Sequence, residues 1–300
     1  FHVFASSVPM LTNVSGPYMR DGDQTGDIWC RRASLDWAPS NSAVCAGSRT
    51  TELDVEDAMR PQRWYKAYFF DIDGTLLLGD QVIPGAIECL QKLRDRKLIV
   101  RFLSNESTSD RDGHVRRLRK MGIECESYEV LTTIEASCAW LAYNYPGAVV
   151  YPIGAPDLAK ALASYEITVS KDPQKIDIVL ASCDHHIDYE DFQIAFDALH
   201  TYKRAFLIAT NPDASGPLPG GGGSPDTAFV IAAIEASAGV KCQEVIGKPN
   251  PHMLLSALAE THVAPEDALM TGDTFATDIA VAHNAGTASA LTLTGDGTLE

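Results

Sequence analysis

Positive charge is scarce in this sequence. Its 300 residues include 24 Lys and Arg against 40 Asp and Glu, which gives a net charge of −16 at pH 7. Such a surface repels nucleic-acid phosphates and anionic lipid, so we expect neither a nucleic-acid partner nor a membrane partner. If the substrate carries phosphate, a local cation has to overcome this overall field.

Ordered cysteine patterns and long apolar runs are also missing. The seven cysteines are irregularly spaced and form no Cys-x-x-Cys pair, so we expect neither structural disulfides nor a zinc site. No apolar run is long enough to span a bilayer. The first residues, which begin with Phe1, lack the charged and apolar segments of a signal peptide. Together these absences predict a cytoplasmic protein.

Residues 1–60 show no sustained apolar period. They are rich in Ser, Thr, Asn, Asp and Gly, which predicts a disordered N-terminal extension. A small irregular subdomain is the alternative. The whole chain is 45% hydrophobic and 21% charged, which is ordinary globular composition, so the remainder has enough apolar material for a core.

From residue 64 onward, short apolar runs alternate with helical patterns. Segments that predict strands lie at 65–72, 98–103, 129–132, 149–153, 176–181, 205–209, 268–271 and 290–294. Patterns that predict helices lie at 84–94, 110–120, 157–164, 189–202, 227–238 and 252–261. This alternation is typical of an α/β protein with a parallel sheet covered on both faces. The four glycines at 220–223 are expected to disrupt regular structure.

The strongest chemical signal is the pair Asp71 and Asp73. They follow the first apolar strand as Asp-x-Asp-Gly-Thr, and parallel-sheet proteins place their sites at the carboxyl ends of strands. One carboxylate of such a pair can attack a substrate while the other handles a proton. A solvated turn is the plain alternative. A calcium loop does not fit, because its sixth and twelfth positions need Gly and Glu, and here they are Leu76 and Val82.

Further polar groups follow later strands in chain order. Ser104 and Asn105 offer a hydroxyl and an amide to an oxyanion, and Lys248 lies in a tight Gly-Lys-Pro turn suited to phosphate. Asp273 and Asp278 offer the oxygen ligands that magnesium prefers. Taken singly, these residues are equally well explained as helix caps, a solvated lysine and a first-turn acid. Their common position at strand ends predicts a single site.

These motifs resemble those of a known family. Four segments carry the resemblance: 70–76 (Phe-Asp-Ile-Asp-Gly-Thr-Leu), 103–105 (Leu-Ser-Asn), 247–249 (Gly-Lys-Pro) and 272–278 (Gly-Asp-Thr-Phe-Ala-Thr-Asp). They are similar to the four motifs of the haloacid dehalogenase (HAD) superfamily. Thr-Asn-Pro-Asp at 210–213, the glycine loop after it and Val-Ile-Gly-Lys-Pro-Asn-Pro at 245–251 resemble its NagD-like, class IIA phosphatase subfamily. The resemblance covers residues 64–300.

The resemblance implies a Rossmann-like parallel α/β core with a large inserted α/β cap. It places the core at 61–137 and 239–300 and the cap at 138–238. Relatives continue with another strand and helix, so the C-terminus is expected to be truncated. A homodimer formed through the cap is one assembly that the resemblance allows.

The resemblance also implies a magnesium-dependent phosphatase acting on a small-metabolite phosphomonoester, such as a nucleotide or sugar phosphate. Asp71 would be the nucleophile that forms an aspartyl-phosphate, and Asp73 would be the acid and base. The residues implied to bind substrate are Ser104, Asn105, Lys248, Asn211 and Asp213. Those implied to bind Mg²⁺ are Asp71, Asp73 through its carbonyl oxygen, Asp273 and Asp278.

Other interpretations stay open at this point. A phosphotransferase or mutase on the same fold, and a non-catalytic regulator that binds a phospho-ligand, are the alternatives to hydrolysis. Glu106 stands where relatives often have a neutral residue, and it would weaken phosphate affinity if it pointed inward. We interpret residues 184–186 (Asp-His-His) as cap surface or a substrate contact without metal, and the basic run 116–120 as a solvated helix face.

Overall fold

The computed structural model describes residue 61 and residues 63–295. Its strands are β1 (Ala67–Phe70), β2 (Leu77–Leu78), β3 (Gln81–Val82), β4 (Ile99–Ser104), β5 (Val130–Thr132), β6 (Val149–Ile153), β7 (Thr168–Val169), β8 (Ile178–Ala181), β9 (Phe206–Ala209), β10 (Ser215–Leu218), β11 (Gly222–Pro225), β12 (Cys242–Val245), β13 (Ala268–Gly272) and β14 (Ala288–Leu291). Its α-helices are α1 (Ala86–Asp95), α2 (Arg111–Lys120), α3 (Thr133–Asn144), α4 (Pro156–Ser164), α5 (Tyr189–Phe196), α6 (Ala228–Ala238), α7 (His252–Thr261) and α8 (Ala280–Ala285). The extension predicted for residues 1–60 lies outside the described residues.

The first sheet is parallel and, within the described residues, has five strands in the order β14–β13–β1–β4–β5. Successive side chains of β1 point to opposite faces, so Tyr68 and Phe70 join one apolar cluster while Ala67 and Phe69 join another. Helices α1 and α2 cover the first face, and α7 and α8 cover the second. Because both faces are buried, the strands appear in the sequence as continuous apolar runs.

A second parallel sheet follows the order β12–β9–β8–β6–β7 among the described strands. Helices α5 and α6 pack on one of its faces, and α3 and α4 pack on the other. The chain therefore has the predicted α/β fold class, with a second α/β layer inserted between β5 and β13.

The boundaries expected at 138 and 238 need correction. Helix α3, which starts at Thr133, packs on the second sheet through Ile134 and Leu141. Strand β12 lies after residue 238 but pairs with β9 of the second sheet. Apolar patterning predicts that a segment is a strand, but it carries no information about which sheet the strand joins.

Two short hairpins complete the fold. The pair β2–β3 follows the Asp71 motif directly, and β10–β11 contains the glycine run. Gly220 and Gly221 form the turn with φ of 81° and 77°, which glycine adopts without strain. Gly222 and Gly223 lie in β11, so the expected disruption of regular structure is limited to the turn.

Some predicted elements end elsewhere in the structure. The last strand ends at Leu291 rather than at residue 294, and the helix predicted for 189–202 continues beyond Phe196 as a wider turn, Asp197–Thr201. Within residues 63–295, no helix is long and apolar enough to cross a bilayer.

Candidate active site

Three neighbouring strands of the first sheet end at the same edge. Asp71 directly follows β1, Ser104 is the last residue of β4, and Asp273 directly follows β13. Since β4 and β13 flank β1 in a parallel sheet, these side chains start from adjacent backbone positions. The structure thus brings together the strand-end residues that the sequence predicts to form one site.

Lys248 reaches this edge from the segment between β12 and α7. Its Nζ lies 2.5 Å from Asp71 Oδ1 and 2.6 Å from Asp278 Oδ1, and its side chain is 2% exposed. Burial opposes a charge here, but the carboxylates of Asp278 and Asp71 outweigh it and raise the pKa of Lys248. Lys248 is therefore a buried ammonium group, and the solvated-lysine interpretation is wrong.

Asn105 holds the backbone of this lysine on both sides. Its Nδ2 donates to the Lys248 carbonyl at 2.9 Å, and its Oδ1 accepts from the Lys248 N–H at 2.9 Å. Both ends of the amide thus position Lys248, and the substrate-binding role expected for Asn105 stays a prediction.

Asp71, Asp273 and Asp278 form a buried carboxylate cluster. Each offers an oxygen within 4.8 Å of the others, and none of the three is more than 6% exposed. Burial raises the pKa of Asp71 well above its usual range; Lys248 lowers it, and Asp278 and Asp273 raise it further. With all three acids ionised, the cluster and Lys248 together carry a formal charge of −2, the charge that one divalent cation cancels.

Two glycines give the cluster its space. A Cβ at Gly272 would lie 2.1 Å from Asp278 Cγ, and one at Gly74 would lie 2.4 Å from Asp273 Oδ2. The donors are all carboxylate oxygens, which suit a hard cation such as Mg²⁺. The residues present at this edge therefore fit a magnesium ion.

The side chain of Asp73 contacts Arg117 on α2. Arg117 Nη2 lies 2.7 Å from Asp73 Oδ1, and Nη1 lies 3.2 Å from Asp73 Oδ2. Nη2 also donates to the Gly79 carbonyl at 2.9 Å, in the turn between β2 and β3. The interpretation of residues 116–120 as a solvated helix face is therefore wrong for Arg117. This residue lies three positions after the buried His114 and one before the buried Leu118, a spacing that places it beside the buried face of α2.

A loop of the second sheet meets the loop after β4. Asn211 is fully buried, and its Nδ2 donates to the Asn105 carbonyl at 2.8 Å. Burial raises the pKa of Asp213 to about 6, although the charge of Lys248 and the Asn105 side chain lower it. Asn211 and Asp213, which the resemblance implies to bind substrate, therefore lie near Asn105, the residue that holds Lys248.

Two families of known proteins match parts of this chain. Residues 68–168 match the haloacid dehalogenase-like hydrolase family, and residues 245–300 match the HAD-hydrolase-like family. The chain is 32% identical to the acid sugar phosphatase of Staphylococcus aureus strain USA300, over 79% of this chain and 89% of that protein.

Two solved structures are similar over more than three quarters of this chain. NagD of Escherichia coli K-12 has a TM-score of 0.70 and 26% identity, covering 79% of this chain and 91% of its own. A glycerol phosphate phosphatase of Mycobacterium tuberculosis in complex with magnesium has a TM-score of 0.71 and 27% identity, covering 78% of this chain and 69% of its own. The chain belongs to the haloacid dehalogenase superfamily. Within it, the chain is a NagD-like, class IIA phosphatase, a hydrolase of phosphoric monoester bonds.

Glu106 is the point at which this HAD phosphatase departs from the expected motif. Its Oε2 lies 3.1 Å from His114 Nε2, and its Oε1 accepts from the Thr108 N–H at 2.6 Å. The acid is thus engaged by α2 and by its own loop rather than by the lysine. His114 is 1% exposed, and sequence reasoning assigned no role to it.

The segment Asp184–His186 directly follows Cys183, whose N–H donates to Ser107 Oγ at 3.3 Å. His186 N–H donates to Asp184 Oδ1 at 3.0 Å, and the two histidine side chains are exposed. Among residues 61 and 63–295, the carboxylates of metal-binding geometry are those at the first-sheet edge, and this segment is not among them.

Proposed function

We propose that this HAD phosphatase is a magnesium-dependent enzyme that hydrolyses a small-metabolite phosphomonoester through an aspartyl-phosphate intermediate. The observation that carries the proposal is the position of Asp71, which contacts Lys248 inside a carboxylate cluster with an excess charge of −2. A nucleophile, a fixed cation and a cation site at one strand edge are the components that phosphoryl transfer needs.

Asp71 is the nucleophile in this proposal. Its carboxylate oxygen forms a bond to phosphorus while the bond from phosphorus to the leaving oxygen breaks. Lys248 then neutralises the negative oxygens of the transferring group, and the buried Ser104 hydroxyl donates to one of them. Water later attacks the same phosphorus, which releases phosphate and restores the Asp71 carboxylate.

Asp73 moves the protons in both steps. It gives a proton to the leaving alcohol in the first step and takes one from the attacking water in the second. Its side chain is 24% exposed, against 8% for that of Asp71. A more open carboxylate suits a group that meets both the leaving alcohol and water.

The side chains of Asp71, Asp273 and Asp278 and the carbonyl oxygen of Asp73 are the proposed magnesium ligands. When bound, the ion supplies positive charge that offsets the charge of the phosphoryl oxygens. The support for this assignment is the hard-oxygen donor set and the space that Gly74 and Gly272 leave for it.

The second sheet with helices α3 to α6 is the proposed cap, at residues 133–245. Its loop with Asn211 and Asp213 would face the leaving group, because it contacts the loop that holds Lys248. The relatives are called acid sugar phosphatase and glycerol phosphate phosphatase, so sugar and polyol phosphates are the first substrates to try. A cytoplasmic location and a homodimer through the cap stay predictions.

Replacement of Asp71 by Asn tests the proposal. The amide cannot attack phosphorus, so hydrolysis of p-nitrophenyl phosphate in the presence of Mg²⁺ should fall at least about 10³-fold. Mass spectrometry of acid-quenched enzyme should find phosphate on Asp71 of the parent protein only. Asp95→Asn is the matched control, because Asp95 is exposed on α1. Turnover of Asp71→Asn within about tenfold of the parent would exclude the nucleophile assignment.

A further inference from the structure

Arg117 makes a fork-shaped contact with Asp73. Its two terminal nitrogens lie 2.7 and 3.2 Å from the two carboxylate oxygens of Asp73. We propose that Arg117 is a positioning residue, which holds the Asp73 carboxylate in the orientation needed to deliver a proton to the leaving oxygen. The inference rests on the acid and base role proposed above for Asp73.

The contact is more specific than an ordinary surface ion pair. Two parallel N–H···O bonds fix the plane of a carboxylate as well as its distance, and only arginine offers such a pair of donors. The side chains of Arg117 and Asp73 are only 28% and 24% exposed. The third bond, from Arg117 Nη2 to the Gly79 carbonyl, ties the guanidinium to the β2–β3 turn as well.

The orientation of Asp73 needs such a restraint. Asp73 lies two positions after Asp71, which already contacts Lys248, and a freely rotating carboxylate at position 73 would be drawn to the same ammonium or to a bound cation. Arg117 provides a competing positive charge for Asp73. The two cations thus keep one carboxylate for attack and the other for proton transfer.

Helix α2 gives Arg117 a rigid base. Val115 and Leu118 of α2 pack in the apolar cluster under the first sheet, and Asp110 caps the helix by accepting from the Gly113 N–H at 2.8 Å. A group held on a packed helix positions its partner more accurately than one held on a loop.

A positioning role predicts an effect that depends on the leaving group. An alkyl alcohol needs a proton as it departs, whereas p-nitrophenolate is a good leaving group without one. Arg117→Gln should therefore lower kcat/KM for glycerol phosphate by about 10²-fold but kcat/KM for p-nitrophenyl phosphate by less than about threefold. Most of the loss should be in kcat, since the phosphate ligands remain.

Arg116→Gln is the matched control, because it removes the same charge from the neighbouring, exposed position on α2. Arg116→Gln should leave kcat/KM for both substrates unchanged. Arg117→Lys keeps the charge but loses the fork, so it should recover only part of the lost glycerol phosphate activity. If Arg117→Gln does not fold by circular dichroism, Arg117→Lys decides the question by the same ratio of the two substrates.

Asp73→Asn separates this inference from the proposal that it rests on. One outcome is that Asp73→Asn lowers kcat/KM selectively for glycerol phosphate while the Arg117 variants lower kcat/KM for both substrates equally, or for neither. In that case the positioning role is wrong and the proposed mechanism stands. If Asp73→Asn itself lowers kcat/KM for both substrates equally, the acid role of Asp73 is wrong, and so is the positioning role of Arg117.

Discussion

At the scale of single residues, two side chains of α2 each contact one carboxylate near the proposed active site. Arg117 holds Asp73, and His114, one turn earlier, contacts Glu106. Burial lowers the pKa of His114, but the nearby Glu106 carboxylate outweighs it and raises this pKa above its usual value. Burial raises the pKa of Glu106, but His114 and Thr108 outweigh it and lower this pKa.

These shifts give the pair a window of maximal stabilisation. The His114 contribution is complete below its usual pKa of 6.5 and is lost as the pH rises through its higher folded pKa. The Glu106 contribution is complete above its usual pKa of 4.5 and is lost as the pH falls through its lower folded pKa. The pair is therefore most stabilising between pH 4.5 and 6.5.

Glu106→Gln should accordingly lower the free energy of unfolding by about 2 kcal/mol at a pH inside this window, and by less in alkaline solution. Chemical denaturation at both pH values measures the two differences. Glu124→Gln is the control, because Glu124 is exposed. A difference that grows as the pH rises would contradict the assignment. Two further charges act on His114: Asp73 raises its pKa, and Arg117 lowers it.

The sequence predicted some of these residues and not others for a physical reason. Asp71, Ser104 and Asp273 were predictable because a parallel sheet brings its strand ends to one edge. Arg117 and His114 were not, because a basic helix shows several cations and the sequence does not say which of them meets a carboxylate. Arg117 meets Asp73 across 44 positions of sequence, a distance that no local pattern spans.

At the scale of elements, the end of β13 is shaped by the absence of a side chain. Gly272 is its last residue, and Asp278 occupies the space where a Cβ would be. Asp278 also accepts from the Thr274 N–H at 3.1 Å through its other oxygen. The acid is thus fixed by both the strand end and the turn that follows it.

Gly272→Ala should displace Asp278 and loosen its contact with Lys248. Because the added carbon would lie 2.1 Å from Asp278 Cγ, we expect at least about tenfold weaker Mg²⁺ binding and about 10²-fold lower kcat. Isothermal titration with Mg²⁺ measures the first effect. Gly216→Ala is the control, since a Cβ there meets nothing within 4 Å. Unchanged Mg²⁺ affinity in Gly272→Ala would show that Asp278 is not part of the cation site.

The strands were predictable where both faces are buried and less so elsewhere. The run at 65–72 gave β1 because all four of its strand residues are buried. Strand β12 escaped prediction because its Cys242 to Val245 segment is only half-buried and mixes polar with apolar side chains. Tertiary pairing with β9, rather than local preference, makes this segment a strand.

At the scale of the whole molecule, the proposed function divides the work between phosphate and leaving group. In it, the edge of the first sheet, with Lys248 against it, holds the phosphoryl group, and the second sheet contributes Asn211 and Asp213 beside it. Changes in the first sheet should affect all substrates alike, and changes in the second should alter their ranking.

Lys248→Ala and Asp213→Ala test this division with glycerol phosphate and a nucleoside monophosphate as substrates. Lys248→Ala should lower kcat/KM for both by at least about 10²-fold, because the phosphoryl group is common to them. Asp213→Ala should change the ratio of the two kcat/KM values by about threefold or more. If Lys248→Ala instead changes the ratio of the two kcat/KM values and Asp213→Ala lowers both values equally, the two roles are assigned the wrong way round.

Gly247 lies at a close crossing of these two layers. A Cβ there would lie 2.6 Å from Asn105 Oδ1, 2.7 Å from the Thr210 carbonyl and 2.9 Å from Thr133 Oγ1, so segments on either side of the cap boundary converge on one atom. In any rotation of one layer against the other, such a crossing acts as a fulcrum, and displacement grows with distance from it. Rotation about this crossing would leave Lys248, the next residue, nearly in place. Substrate entry by such a rotation would therefore leave the buried ammonium group where it is.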